Sequence, residues 1–221
     1  MINTVIFDMD GVIVDTEPVH KYAFFKHFKQ IGLEISNKEY DTFRGLSTKN
    51  LYQKIKDKYN LKQGVEELVQ QKRNIFNQAF EEKKDLDLLP GMRNLIENLY
   101  KEKFQLILAT SSARVTLTKV FNRFKLFPYF SHIVSGEDFP KSKPDPAIFL
   151  KAVELSKKTK QNCIIIEDST NGVLAANAAG VFCIGYSNER SGDQDLKNAN
   201  MIIHHFNELT PQIIKDLQGI N

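Results

Sequence analysis

Nowhere in the 221 residues does an apolar run approach the ~20 that a membrane-spanning helix needs, so no membrane partner is expected. Cysteine is scarce. Cys163 and Cys183 each lie inside an apolar stretch and read as reduced core residues of a cytoplasmic protein. No basic segment followed by an apolar one opens the chain, so no export signal is expected. Massed positive charge is also lacking: the net charge is +3, with lysines scattered along the chain, which gives no electrostatic support for a nucleic-acid partner. No internal repeat or low-complexity segment stands out. The 42% hydrophobic and 26% charged content is ordinary for a globular chain of one large domain, or of a domain with an insert.

Against that plain background one stretch is conspicuous, Val5-Ile6-Phe7-Asp8-Met9-Asp10-Gly11-Val12. A β-branched and aromatic run reads as a buried strand, central in a parallel sheet. It stops abruptly at two carboxylates with one residue between them. Side chains at i and i+2 of an extended chain project to the same side, so Asp8 and Asp10 converge. Two like charges ~4 Å apart repel by roughly 4 kcal/mol at an effective dielectric of 20. Such a pair calls for a cation, or for a proton on one member. Gly11 lets the backbone turn away. An ordinary Asp-x-Asp-Gly surface turn fits the same letters. A calcium-binding EF-hand does not, because its glycine belongs at the sixth position of the loop and here it falls at the fourth.

The remaining chain alternates. Val12-Ile13-Val14 reads as a flap or continued turn, and Asp15 or Thr16 as a helix cap ahead of Pro18. From there to about residue 87 only helical spacing occurs: Phe24, Phe25, Phe28 and Ile31, then Leu51, Ile55 and Tyr59, then Val65, Leu68, Phe76 and Phe80. This predicts an all-helical cap over residues 15–89, of three or four helices, inserted into a core of 1–14 and 90–221. Between the first two cap helices, Arg44, Gly45, Ser47, Thr48 and Lys49 form a compact turn with a cation at each end. It is either a plain interhelical loop or one that reaches back over Asp8 to touch substrate.

Four further strands follow in the core, with a short edge strand at Met201-Ile202-Ile203. The strand 104–109 ends in Thr110-Ser111-Ser112, which suits either anion binding or helix capping. His132-Ile133-Val134-Ser135 leads to Lys143, with Pro144 and Pro146 fixing the backbone just after it: a positioned point charge, or a solvent-facing lysine on a rigid loop. Cys163-Ile164-Ile165-Ile166 runs directly into Glu167 and Asp168, repeating the opening logic. Ser169 caps the next helix, which Gly180 closes. A strand over 181–186 precedes a polar surface loop over 187–200 with one helical turn. His204 and His205 follow the edge strand as adjacent residues facing opposite ways, and read as structural. Leu209, Ile213, Ile214 and Leu217 predict a closing helix.

Strands alternating with helices predict an α/β fold, a doubly wound, mostly parallel, Rossmann-like sheet with the helical cap inserted. Ligands of such sheets sit at the carboxyl ends of the strands. Asp8 with Asp10, Thr110 to Ser112, Lys143, and Glu167 with Asp168 all fall there. Several carboxylates, one cation and a set of hydroxyls describe a magnesium-dependent phosphate site, since hard oxygen ligands without Cys or paired His favour Mg²⁺ over zinc.

This set (Asp8-x-Asp10-Gly11, Thr110-Ser111-Ser112, Lys143-Pro144, Glu167-Asp168) resembles the four motifs of the haloacid dehalogenase superfamily over essentially the whole chain. The helical insert after the first motif resembles the β-phosphoglucomutase-like and phosphatase branch. The resemblance implies that Asp8 is a nucleophile giving an aspartyl-phosphate, and that Asp10 is the acid and base, protonated at the first step while Asp8 is not. It implies Mg²⁺ held by Asp8, the Asp10 carbonyl and Asp168, with Glu167 a further ligand or acting through water. Lys143, the Thr110 hydroxyl and the Ser111 and Ser112 N–H groups stabilise the phosphoryl oxygens, and the cap closes over them.

The branch turns on details of the cap. His20 and the Arg44-Gly45-x-Ser47 loop resemble the mutases, but those carry an arginine where this chain has Thr48. Lys49 lacks the bidentate fork, and Lys72 or Arg73 are the alternative cap cations. A phosphatase of a small phosphorylated metabolite, a sugar or polyol phosphate, is therefore the expectation. β-Phosphoglucomutase is the alternative within the branch, and a catalytically silent binding protein the alternative of another class. A monomer is expected.

Overall fold

The computed structural model describes residues 1–187 and 194–217. β1 (Thr4–Phe7), β2 (Gln105–Thr110), β3 (His132–Ser135), β4 (Cys163–Glu167), β5 (Phe182–Tyr186) and β6 (Met201–Ile203) form one parallel sheet in the order β3-β2-β1-β4-β5-β6. The first strand lies at its centre, where the strand order reverses. Phe7 is in register with Leu108 on one side and Ile166 on the other, so the residues after these strands open at one edge.

Side-chain alternation explains why both faces are apolar. Val5, Phe7, Leu106, Leu108, Ile164 and Ile166 face one core with α5 (Met92–Lys101) and α6 (Arg114–Phe124). Ile6, Ile107, Ala109, Cys163 and Ile165 face the other, with α7 (Ala147–Ser156) and α8 (Thr170–Ala179). Each buried Ile, Leu or Phe contributes on the order of 1.5–3 kcal/mol. Both cysteines are free and buried, as expected. No helix among the described residues is long and apolar enough to cross a membrane.

The segment between β1 and α5 folds into α1 (Glu17–Gln30), α2 (Asn37–Asp41), α3 (Thr48–Tyr59) and α4 (Val65–Glu82). It carries its own apolar cluster, in which Phe24, Phe28, Tyr40, Tyr52, Ile55 and Leu68 meet. α2 is an addition to the sequence reading, and the Arg44 loop lies between it and α3. The two connections to the sheet run side by side: Val14 bridges Leu88, and the Leu89 N–H donates to the Ile13 carbonyl at 3.0 Å. The triplet Val12–Val14 is fully buried, a packed turn rather than a flap. Arg123 of α6 donates to the carbonyls of Phe80, Lys83 and Leu86, fixing the exit from α4.

Residues 188–193 of the expected polar loop lie outside the described residues. α9 (Pro211–Asp216) closes the described fold. His204 and His205 each serve local structure: the His204 ring faces the Ser187 carbonyl at 3.1 Å, and His205 shares a capping box with Glu208.

Candidate active site

The apolar strands β1, β2 and β4 deliver Asp8, Thr110 and Glu167 to one mouth, and Lys143 reaches it from the loop after β3. Lys143 is 1% exposed. Its Nζ donates to Asp8 Oδ1 and Glu167 Oε1, both at 2.6 Å, and to the Ala109 carbonyl at 3.3 Å. Of the two sequence readings of Lys143, the buried point charge is the one found. Burial works against its protonation, but Asp8 and Glu167 outweigh that and hold its pKa above the ordinary lysine value.

Glu167 is expected as a further metal ligand or as acting through water, and both its oxygens here meet protein groups. While Oε1 takes Lys143, Oε2 accepts from the N–H groups of Asp168 and Ser169 and from the Ser169 hydroxyl at 2.8–3.0 Å. Both oxygens are engaged, which makes Glu167 a strut between Lys143 and the start of α8. Asp168 instead receives Arg44 of the cap, with Nη2 2.9 Å from Oδ2. Of the two readings of the Arg44 loop, reaching the site is the one found. Gly11 (φ +86°) passes so close to Asp168 that a Cβ there would lie 2.2 Å from Oδ2. The glycine that turns the chain after β1 therefore also admits the Asp168 carboxylate.

Asp10 lies in a different environment. Oδ2 accepts from the Ser112 hydroxyl at 2.6 Å and Oδ1 from the Thr16 hydroxyl, while His20 Nε2 stands 3.4 Å from Oδ1. Thr16 occupies the cap position of α1, but its hydroxyl serves Asp10 and makes no capping bond. The Ser112 N–H donates to the Thr110 hydroxyl at 3.0 Å, so the expected phosphate donor is engaged within its own turn. The Ser111 hydroxyl donates to the Gly45 carbonyl at 2.7 Å.

Behind His20 stands Lys72, its Nζ 2.8 Å from His20 Nδ1 and 4.0 Å from the Phe24 ring centroid. Thr16 and His20 were within reach of the sequence, since i and i+4 share a helix face. Glu17 was missed as a site residue. It follows Asp15 and Thr16 at the start of α1, and it lines the inner cavity with Oε1 3.8 Å from Arg44 Nε.

These environments separate the two aspartates. Burial raises the Asp8 pKa to about 7; Lys143 opposes this, while Glu167 and Asp10 add to it. Burial also works to raise Asp10, but His20, together with the Ser112 and Thr16 hydroxyls, brings it down to about 2, while burial and Lys72 lower the pKa of His20 itself. Burial likewise raises Asp168, Arg44 notwithstanding. The order is the reverse of the one the acid–base reading needs. Protein groups alone leave Asp8 short of positive charge, while Asp10 is held by two hydroxyls and His20.

Burial lowers Lys72 from 10.5 to about 7, against the pull of Asp10 and Glu17. A base whose folded pKa is depressed is penalised fully below that pKa, and the penalty fades as pH rises toward the unfolded value. Lys72→Met is therefore expected to raise the melting temperature at pH 6, with a smaller gain at pH 9. Scanning fluorimetry at the two pH values checks it, at about 2–4 °C per kcal/mol for a chain of this size.

The inner cavity, about 70 Å³, is lined by Asp8, Asp10, Glu17, His20, Arg44 and Asp168. A larger cleft of about 540 Å³ adjoins it at Thr48 and Ser111, with Ser47, Asn50 and Gln70 on the cap wall. Lys49 and Arg73 line this outer cleft, paired with Glu66 and Glu137 at 2.8 and 2.7 Å. The structure thus brings together Asp8, Asp10, Ser112, Lys143, Asp168, His20, Arg44 and Lys72, and leaves Lys49 and Arg73 at the rim.

Among the described residues, no three His, Cys, Asp or Glu side chains are gathered as a ready metal cluster; Lys143 lies on Asp8 and Arg44 on Asp168. The donor chemistry nevertheless fits a hard divalent cation. Asp8 and Asp168 are buried oxygen donors, both raised in pKa first by burial and further by neighbouring carboxylates.

Residues 5–186 match the haloacid dehalogenase-like hydrolases, and the chain belongs to that family. It is similar to the β-phosphoglucomutase of Bacillus subtilis, 28% identical over 96% of this chain and 93% of the relative. It is also similar to the phosphorylated carbohydrates phosphatase of Thermotoga maritima, 29% identical over 80% and 81%. Among solved structures, a β-phosphoglucomutase from Clostridium difficile superposes with a TM-score of 0.86 at 28% identity, covering 98% of this chain and 96% of that one.

Proposed function

We propose that the protein is a magnesium-dependent phosphatase of small phosphorylated metabolites, sugar or polyol phosphates, working through an aspartyl-phosphate. One observation carries the reading: two aspartates, Asp8 buried and Asp10 partly exposed, face one cavity in opposed environments, Asp8 against Lys143 and Asp10 in a cradle of Ser112, Thr16 and His20. Pairs of carboxylates driven apart in pKa are the mark of divided acid–base and nucleophilic roles.

Asp8 and Asp168, with the backbone carbonyl of Asp10, would hold the magnesium ion. When bound it supplies the positive charge that keeps Asp8 ionised and lets it meet an anionic phosphate. An Asp8 oxygen attacks phosphorus as the ester oxygen departs, and Lys143 offsets the charge of the reacting group. A substrate dianion beside Asp10 raises its pKa, so that it brings a proton to the leaving oxygen. Asp10 then takes a proton from the water that cleaves the aspartyl-phosphate. His20 and Thr16 hold the Asp10 carboxylate in one orientation, and Lys72 fixes the His20 ring. The helices 15–89 serve as the cap that excludes bulk water.

The mutase is the second reading, favoured by likeness to β-phosphoglucomutases over nearly the full chain. Thr48 in place of an arginine, and Lys49 bound to Glu66 away from the inner cavity, favour the phosphatase. Phosphorus NMR with Mg²⁺, β-glucose 1-phosphate and a trace of glucose 1,6-bisphosphate separates them. Release of inorganic phosphate is the expected result. Glucose 6-phosphate with little free phosphate would make the protein a mutase. Failure on these and on an aryl phosphate would leave the silent binding protein.

A further inference from the structure

The loop that carries Arg44 into the site is held by its backbone. Asn171 Nδ2 donates to the Arg44 carbonyl at 2.6 Å and the Thr42 carbonyl at 3.3 Å. Gln194 Nε2 donates to the Asp41 carbonyl at 3.0 Å, and its own Oε1 is fixed by the Thr170 N–H at 2.9 Å. Gly45, at φ +80°, lies so close to the start of α8 that a Cβ would fall 2.6 Å from Ser169 Oγ. The partners of Asn171 are both acceptors, so its amide nitrogen, not its oxygen, faces the loop.

We infer that Asn171, seconded by Gln194, is a positioning residue that clamps the cap loop onto the core and thereby sets how firmly substrate is enclosed. The clamp reads carbonyls only, which leaves the loop side chains to the cavity: Arg44 reaches Asp168 while its own carbonyl is held. The five residues from Glu167 to Asn171 thus brace Lys143, meet Arg44, cap α8 and grip the cap. A loop that leaves Asn171 withdraws Arg44 from Asp168. The role in enclosure rests on the phosphatase reading, whereas the clamp itself does not.

Asn171→Asp tests this. The side chain is isosteric but cannot donate, and a carboxylate in the first turn of α8 suits the helix dipole, so the variant folds. Hydrogen exchange of the full-length protein reads the clamp, and steady-state kinetics on a sugar phosphate read its use. In Asn171→Asp the amides of residues 42–47 are expected to exchange about tenfold faster, with α3 unchanged, as the loss of two hydrogen bonds implies. KM is expected to rise about tenfold, with kcat changed less than about threefold. Asn171→Ala, which removes the grip without adding repulsion, should move the same way by less; a side chain needed only for packing would show the reverse order. Asn177→Ala, which on the same helix loses a bond from the core to the core, should leave both readouts unchanged. Unchanged exchange in Asn171→Asp would overturn the clamp, and faster exchange with unaltered KM would overturn its role in enclosing substrate. Should the native protein hydrolyse no phosphate ester, the phosphatase reading fails while exchange still decides the clamp.

Discussion

Lys143→Met is expected to cost about 3–5 kcal/mol of stability, because it removes one partner of a buried ionic cluster and leaves the others without compensation. At this chain length that is a fall in melting temperature of roughly 6–20 °C. The shape of the methionine side chain is close enough to fill the space against Phe149, over whose ring the ammonium lies at 4.7 Å. What it cannot do is meet Asp8 and Glu167, each now at 2.6 Å from the lysine. The deficit carries a pH signature. Asp8 is already raised to about 7 in the native protein, and losing the cation raises it further. A carboxylate whose folded pKa exceeds its unfolded value favours folding when protonated, and that contribution is lost as pH rises. The deficit should therefore be smaller at pH 5.5 than at pH 8 in calorimetric scans. A loss below 1 kcal/mol, or one independent of pH, would show that Lys143 is not the charge that makes this carboxylate cluster tolerable.

Asp8→Asn is expected to abolish turnover, by on the order of 10⁴–10⁶ as when other enzymes lose their nucleophile. The same substitution should not destabilise the protein at pH 8 in the absence of added divalent cation. A pKa raised to about 7 means that the fold resists the Asp8 charge, and asparagine mimics the neutral form the fold accepts. Loss of activity with stability kept or gained is the pattern of a residue held in place for chemistry at a cost to the fold. The control is Lys151→Ala, which breaks a surface pair with Glu154 and should change neither quantity. An active Asp8→Asn protein would remove Asp8 from the nucleophile's role.

Much of this was readable in the sequence for one physical reason. Parallel strands buried on both faces are continuous apolar runs, and they end in polar residues only where a site needs them. β1, β2 and β4 announced Asp8, Thr110 and Glu167 in that way, and α1, α3 and α4 announced themselves by helical spacing. α2 did not, because a single turn with only Tyr40 buried has no period to detect. Hydroxyl chemistry was also ambiguous: Thr16 satisfies the rule for a helix cap, and only the folded chain shows its hydroxyl on Asp10 instead. Glu167 could be placed at the site but not oriented, since its partners are Lys143 and the backbone beginning α8. The grip of Asn171 on residues 42 and 44 joins positions more than a hundred residues apart by bonds to carbonyls, which leave no trace in residue type.

The placement of β1 at the middle of the sheet has a consequence for how the chain is made. Ile6 pairs with Ile107 and Ile165, so the central strand finds its second neighbour only after residue 165 has been synthesised. At ribosomal rates of about 5–20 residues per second, one edge of the apolar segment Thr4–Phe7 stays unpaired for on the order of 10–30 s. The helices of residues 17–82 emerge during that interval and can collapse around local contacts, while the sheet depends on long-range closure, which is slow. Asp8 therefore emerges on a strand that keeps an open edge through that interval, a state prone to aggregation. Burial of that strand on both sides comes only once β4 has been made.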